Sequence, residues 1–335
     1  MMGQKITIRD VAREAQVSIA TVSKALNGVD VVRPETKKRI VEAAQSLHYV
    51  PNLRGKQLKA QQTKMLGFYT HTIVGPFFSV LVQAISQEAE RFGYGVSIII
   101  SADKNVLRNH MFGHTVDGLI GFEDMIDESD LIAIKREGLK AVFIDRLICD
   151  EGISSITFDS FQAGKQVTDY LVSLNHNKVA FFKGPQGVYD SEERFRGYVT
   201  SLKEHGIPLK SKYIVDGDFN EQTSYKRIID LLEKLPKKEY PTAIIGGNDL
   251  SALGIIQGIV AKGYQVPADF SVVGFDNIDA LRYFKPALTT IDNPIEEQGK
   301  QAVKVLLGLI NEQRRGESYQ LPTQFIERES TRILG

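Results

Sequence analysis

A single cysteine, Cys149, stands among 335 residues. It cannot form an internal disulfide, which excludes a disulfide-stapled secreted framework and fits a reducing cytoplasm. Histidine is sparse too: six, scattered, and with one cysteine they offer no metal cluster. His110 and His114 fall four apart with no further ligand nearby in the sequence, so a solvated helix face is the plainer reading. No glycine fingerprint for a dinucleotide or P-loop phosphate follows a strand-like run, since Gly184-Pro185-Gln186-Gly187 lacks the spacing and the lysine. No serine occupies a nucleophile elbow. These gaps argue against an enzyme, and no cofactor or metal is expected. The chain also has no apolar run of membrane-spanning length, and it opens with Gln4, Lys5, Arg9 and Asp10 rather than an apolar signal segment. The expectation is a cytoplasmic protein without membrane contact.

Net charge is absent overall, with 41 basic and 41 acidic residues, but the balance is uneven along the chain. Through Gln62 there are eleven basic residues against five acidic ones, a surplus of six that the remainder cancels. A basic amino-terminal end on an otherwise acidic protein points to a polyanionic partner.

What is present at that end is a dense helical pattern. Thr7 can cap a short helix whose apolar residues Ile8, Val11, Ala12 and Ala15 fall on one stripe. After Gln16 and Val17, Ser18 is a second cap. Val22, Ala25 and Leu26 then turn inward, while Ile19, Ala20, Thr21, Ser23 and Lys24 face out. Pro34 opens a third helix with apolar Ile40, Val41, Ala44 and Leu47 and a basic run Lys37, Lys38 and Arg39. Two short helices joined by a three-residue turn make a helix-turn-helix, whose second helix can meet base edges in a major groove. Thr21 and Ser23 can donate to phosphate, Lys24 can reach guanine or the backbone, and Ile19 and Ala20 can pack on thymine methyls. The alternative for these helices alone is a small three-helix domain with a polar face.

From Lys64 the chain alternates strand-like runs (65–69, 96–100, 118–122, 141–144, 179–182, 243–246 and 271–275) with runs of helical spacing such as 78–91, 161–173 and 250–262. This is the α/β pattern of parallel sheets in two doubly wound halves. Ligands of such sheets bind outside the carboxyl ends of the strands, where His71, Phe122, Asp145, Arg146, Asn248 and Asp276 fall. Taken singly, an Asp there reads as a helix cap and a Phe as core.

The ordered motifs Thr7-Ile8-Arg9-Asp10-Val11-Ala12, Thr21-Val22-Ser23-Lys24-Ala25-Leu26-Asn27-Gly28, Tyr49-Val50-Pro51-Asn52, Pro76-Phe77-Phe78, Val116-Asp117-Gly118-Leu119-Ile120, Arg194-Phe195-Arg196-Gly197-Tyr198 and Val272-Val273-Gly274-Phe275-Asp276 span nearly the whole chain. In these the sequence resembles the LacI/GalR bacterial transcription regulators. The resemblance implies an all-α three-helix helix-turn-helix headpiece plus an α/β core of two doubly wound parallel-sheet lobes, periplasmic-binding-protein-like. The implied boundaries are headpiece 1–50, hinge 51–62, one lobe 63–160 with 292–320, and the other 161–291 with 321–335. It implies that Thr7, Ser18, Asn27, Tyr49, Asn52 and Lys56 join the helix face in contacting DNA, and that Leu58 wedges into a minor-groove step. It also implies an effector cleft in which Phe78 and Phe219 stack on a ring while Arg194, Asn248 and Asp276 hydrogen-bond it, with Asp145, His71 and Asn293 completing the lining.

The mechanism implied is a homodimeric repressor on a palindromic double-stranded operator, controlled by a small-molecule effector such as a sugar or sugar derivative. The alternatives are a global catabolite-type regulator with a phosphoprotein corepressor and, from another class, a secreted solute-binding protein, which would need a signal peptide. The chain departs from the family's usual pattern at Gln16, Arg33, Gly55, Gly75 and Ser160, and its segment 101–115 is about one helical turn short.

Overall fold

The computed structural model describes residues 6–26, 31–50, 62–101, 103–122, 125–312 and 315–335. The chain forms two compact units that meet in sequence at Thr63 and Lys64.

In the first unit, helices α1 (Ile8–Glu14), α2 (Ile19–Leu26) and α3 (Pro34–Ser46) enclose a small core of Val11, Ala12, Ala15, Val22, Ala25, Ile40, Ala43 and Ala44. Thr7 opens α1 with a capping box, its backbone N–H and hydroxyl both donating to the Asp10 carboxylate at 3.0 and 2.8 Å. Ser18 Oγ accepts the Thr21 N–H at 3.1 Å and so caps α2. Gln16, in the turn between them, takes a φ of 51°, the left-handed region that favours glycine. Arg33 makes no side-chain cap bond to α3, and Pro34 at the first helical position supplies the start instead. The sequence pattern errs once here. Val41 is exposed and Ala43 takes the core position, because the inward face of α3 runs through Ile40, Ala43, Ala44 and Leu47.

The second unit holds two six-stranded sheets. The first, ordered β11-β5-β4-β3-β1-β2, comprises β1 (Met65–Thr70), β2 (Gly95–Ile100), β3 (Gly118–Phe122), β4 (Lys140–Ile144), β5 (Ile153–Phe158) and β11 (Ser318–Leu321), all parallel. The second, ordered β12-β10-β9-β8-β6-β7, comprises β6 (Val179–Lys183), β7 (Ile214–Asp216), β8 (Ala243–Gly246), β9 (Ser271–Phe275), β10 (Thr289–Asp292) and β12 (Gln324–Ile326), with only β12 antiparallel. Among the described residues there are twelve strands, and five of them are not among the seven runs that alternation and apolarity pick out. Three of them are edge or near-edge strands of only three or four residues, and β10 has four. β5 hides for another reason: Ser154, Ser155 and Thr157 are buried in it. Ser154 Oγ accepts the Glu317 N–H at 3.0 Å, and Ser155 Oγ lies 3.0 Å from Ser318 Oγ across the neighbouring strand.

Helices cover both faces of each sheet. On the first sheet α4 (Pro76–Arg91) and α11 (Ile295–Glu312) share a core with Leu66, Phe68, Ile120 and Val142, while α5 (Lys104–Phe112) and α6 (Glu128–Arg136) cover Leu119, Ala141 and Phe143. On the second sheet α7 (Ser160–Ser173) and α8 (Tyr189–Glu204) pack on one face, and α9 (Glu221–Lys234) and α10 (Asp249–Ala261) on the other. The chain passes from one sheet to the other between β5 and α7, between β10 and α11, and between β11 and β12. His110 does not lie on a solvated helix face. It is half-buried between Tyr69 Oη, 2.8 Å from Nδ1, and Ser97 Oγ, 3.2 Å from Nε2. His114 lies beyond the end of α5 and is exposed.

Candidate functional sites

The first candidate is the outer face of α2. Ile19 is 45% exposed, Ala20 and Lys24 are exposed, and Thr21 and Ser23 are half-buried. The cap places this face, because Ser18 Oγ lies 2.8 Å from Thr21 Oγ1 as well as accepting the Thr21 N–H. Tyr49 packs its ring against the three-helix core, and its N–H donates to the Ala44 carbonyl oxygen at 2.8 Å. Asn27, Asn52, Lys56 and Leu58 lie outside the described residues.

The second candidate is a cavity of about 300 Å³ in the second unit, at the carboxyl ends of strands from both sheets. In each sheet the strand order reverses beside the first strand of its half, at β1/β3 and at β6/β8, the crevice position where open α/β sheets bind ligands. One wall is aromatic. Phe77 and Phe78 from the first turn of α4 meet Phe122 at the end of β3, with ring centroids 5.0 to 5.8 Å apart. Phe219, which lines the same cavity, lies on the backbone of two glycines: a Cβ added at Gly184 would come within 2.3 Å of its ring, and one at Gly247 within 2.9 Å. Larger residues at either position would push the ring off its seat.

The same cavity holds a buried charge network. Arg194, 3% exposed on the second turn of α8, donates from Nη1 to the Gly247 carbonyl oxygen at 2.7 Å. Its Nη2 reaches Asp190 at 3.3 Å and Asp276 at 3.6 Å, and its guanidinium lies over the rings of Phe275 and Phe219 at 4.7 and 5.6 Å. Asp276 is 7% exposed and accepts from Asn293 Nδ2 at 2.9 Å. Burial pushes its carboxyl up to about 6, opposed by the Arg194 cation and the Asn293 amide and helped by repulsion from Asp190. Behind it, Asp249 is held well above the usual carboxylate range by burial and by the Asp276 charge. Thr290 Oγ1 and the Ile278 N–H donate to Asp249 at 2.6 and 3.0 Å. Asn248 caps α10 by accepting the Ser251 N–H at 2.9 Å, and its Nδ2 donates to the Phe219 carbonyl oxygen at 3.3 Å. Backbone strain gathers at this site: Asp145, Asp218, Phe219 and Asp276 all have positive φ.

Residues 7–52 match the family model described as bacterial regulatory proteins, lacI family, and residues 168–331 match the periplasmic binding protein-like domain. Catabolite control protein A of Priestia megaterium is 32% identical over 334 residues, covering 98% of this chain and 99% of that protein. The chain belongs to the lacI family of bacterial regulatory proteins. Among solved structures, the lac repressor dimer bound to operator and an anti-inducer superposes with a TM-score of 0.84 at 27% identity, covering 98% of this chain and all of that one. A LacI-family regulator from Enterococcus faecium with bound ribose superposes at 0.74 and 27% identity, covering 81% of this chain and all of that one. The chain is therefore a DNA-binding repressor of this family, and its relatives act in transcription rather than catalysis. Among the described residues no helix is long and apolar enough to cross a membrane.

Within this LacI-family cleft, eight of the ten residues singled out from the sequence line one cavity: His71, Phe78, Phe122, Asp145, Arg194, Phe219, Asn248 and Asp276. Arg146 does not. The left-handed φ of Asp145 turns the chain after β4, and the Arg146 guanidinium donates to the Ile126 carbonyl oxygen and lies 5.4 Å over Phe143. Asn293 is also off the wall, buried behind Asp276 as its hydrogen-bond donor. Sequence reasoning passed over Asp190, Asp218, Thr72 and Pro185, which line the same cavity. Asp190 had a readable signal, since it stands four residues before Arg194 on one helix face. The departure at Ser160 also finds its partner here: Ser160 Oγ donates to Asp190 Oδ1 at 2.8 Å.

Proposed function

We propose that this LacI-family repressor acts as a cytoplasmic homodimer on a roughly palindromic operator, one headpiece per half-site, under the control of a small polyhydroxy ligand bound in the cleft. In this reading residues 1–50 are the DNA-binding headpiece and 51–62 the hinge. The two lobes are 63–160 with 292–320 and 161–291 with 321–335. The α2 face of Ile19, Ala20, Thr21, Ser23 and Lys24 supplies the base and phosphate contacts.

The observation that carries the effector assignment is that aromatic rings and a buried, hydrogen-bonding Arg194 line one cavity. Rings stack on the apolar faces of a sugar, while carboxylates and a guanidinium bond its hydroxyls. At about 300 Å³ the cavity lies at the lower end of the roughly 300–1,000 Å³ range of ligand sites, a size for one ring. Ribose in the related Enterococcus faecium regulator supports the same class. A built, aromatic-walled cavity favours a small molecule over a phosphoprotein corepressor.

The test is a thermal-shift screen of the full chain against neutral sugars, sugar phosphates, nucleosides and purines. A ligand at a hundred times its Kd adds about 2.7 kcal/mol of stability. Operator titrations with the hit then give the sign of control, and Arg194→Ala is expected to abolish the response. A hit whose effect survives Arg194→Ala unchanged would place binding elsewhere, and no hit across the panel would favour a protein corepressor.

A further inference from the structure

Arginine carries five N–H donors and no acceptor. In the cleft, Arg194 Nη1 is committed to the Gly247 carbonyl oxygen, and Nη2 lies within pairing distance of both Asp190 and Asp276. Nε is buried and has no hydrogen-bond partner among the described residues. With two carboxylates beside it, the guanidinium still offers a ligand a donor but no unbalanced positive charge. Asp190 is fixed in this position from behind: it is 4% exposed, and Ser160 Oγ donates to it at 2.8 Å. Asp145 faces the same cavity.

Building on the reading of this cleft as the effector site, we propose that Asp190 sets its charge specificity, so that the cleft accepts an uncharged hydroxyl-bearing ring and rejects sugar acids and sugar phosphates. A hydroxyl suits the arrangement in both directions. It can accept from the Arg194 guanidinium, which lines the cavity, and donate to a carboxylate. A ligand carboxylate has no donor and a phosphate brings net negative charge, and either would share one guanidinium with carboxylates already in place. Beside buried carboxylates such like-charge neighbours repel. The spacing builds the neutralisation into α8, since residues four apart lie on one face and Asp190 meets Arg194 as the helix forms.

The test compares the full wild-type chain with Asp190→Asn and Asp190→Ser by thermal shift, using glucuronate and inorganic phosphate as probes at matched ionic strength, with chloride as reference. Wild type is expected to melt at the same temperature in all three salts. Both variants are expected to gain stabilisation by glucuronate, with an affinity increase of roughly tenfold or more, and Arg194→Ala in the Asp190→Asn background should remove that gain. If wild type is stabilised by either anion through Arg194, or if the folded variants gain nothing, the proposal is overturned. Should Asp190→Asn fail to melt cooperatively, Asp190→Ser keeps an acceptor for Ser160 and carries the comparison. Failure of every neutral sugar in the broader screen, together with anion gain in the variants, would remove the sugar reading while leaving the role of Asp190 intact.

Discussion

Buried titratable side chains pull the stability of this protein in opposite directions as pH changes. Asp276 has its carboxyl raised from an ordinary 3.8 to about 6 by burial. The folded state therefore holds that proton when the unfolded chain has released it, and the stabilisation is lost as pH rises from about 4 through about 6. His176 works the other way. Burial lowers it, and its ring is bound by Thr242 Oγ1, Ser271 Oγ and the Arg332 carbonyl oxygen at 2.9 to 3.0 Å. Protonation favours the unfolded chain, so the contribution of His176 is complete above its unfolded value of about 6.5 and declines below it. Melting curves from pH 5 to 7.5 are expected to rise more steeply with pH for Asp276→Asn than for wild type, and less steeply for His176→Gln. Curves parallel to wild type for both variants would refute the assignment. At this scale the sequence announced Asp276 and Arg194 through motifs, but it was silent on His176. A lone histidine in a helix-to-strand connection carries no pattern, and its role arises only when the carboxyl-terminal segment folds over it.

Helix pairs in the second sheet's layers approach backbone to backbone, and glycine is what allows it. A Cβ at Gly164 of α7 would lie 2.1 Å from the Arg194 carbonyl oxygen of α8, and one at Gly197 would lie 2.2 Å from that of Phe161. On the opposite face, a Cβ at Gly254 of α10 would lie 2.0 Å from the Glu221 carbonyl oxygen of α9. Gly164→Ala must therefore separate α7 from α8 and carry Arg194 with it. The expected cost is about 1–3 kcal/mol of stability together with weakened ligand binding, whereas Gln166→Ala, exposed on the same helix, should stay within about 0.5 kcal/mol. Equal denaturation midpoints for the two variants would show that the close approach carries no energetic weight. These glycines were unreadable as contacts, because a glycine inside a helical run signals close approach only once its partner helix is known. Longer elements were legible for the opposite reason. The seven strands read from the sequence are almost all central, buried on both faces and continuously apolar, whereas β7, β11 and β12 are three or four residues long and β5 is rich in buried serine.

Across the second unit, the residues gripping the cleft are tied to the places where the chain passes between its two sheets. Ser160, at the first crossing, holds Asp190 and through it Arg194, while Asn293, at the second, holds Asp276. A ligand that pulls on Arg194 and Asp276 thus pulls on two of the three connections about which the lobes would close. For the proposed effector, a preference of about 3 kcal/mol for one degree of closure would change operator affinity by up to roughly a hundredfold. Asn293→Ala separates binding from transmission, because Asn293 touches Asp276 without lining the cavity. The ratio of operator Kd with saturating ligand to that without should move several-fold toward one in this variant, even after the ligand concentration is raised to offset weaker binding. Fluorescence anisotropy on a labelled operator measures both constants. If the ratio at saturation equals that of wild type, Asn293 serves only to orient Asp276, and closure must be transmitted through the Ser160 crossing or the passage between β11 and β12. Ser160→Ala measured in the same way would then distinguish those two routes.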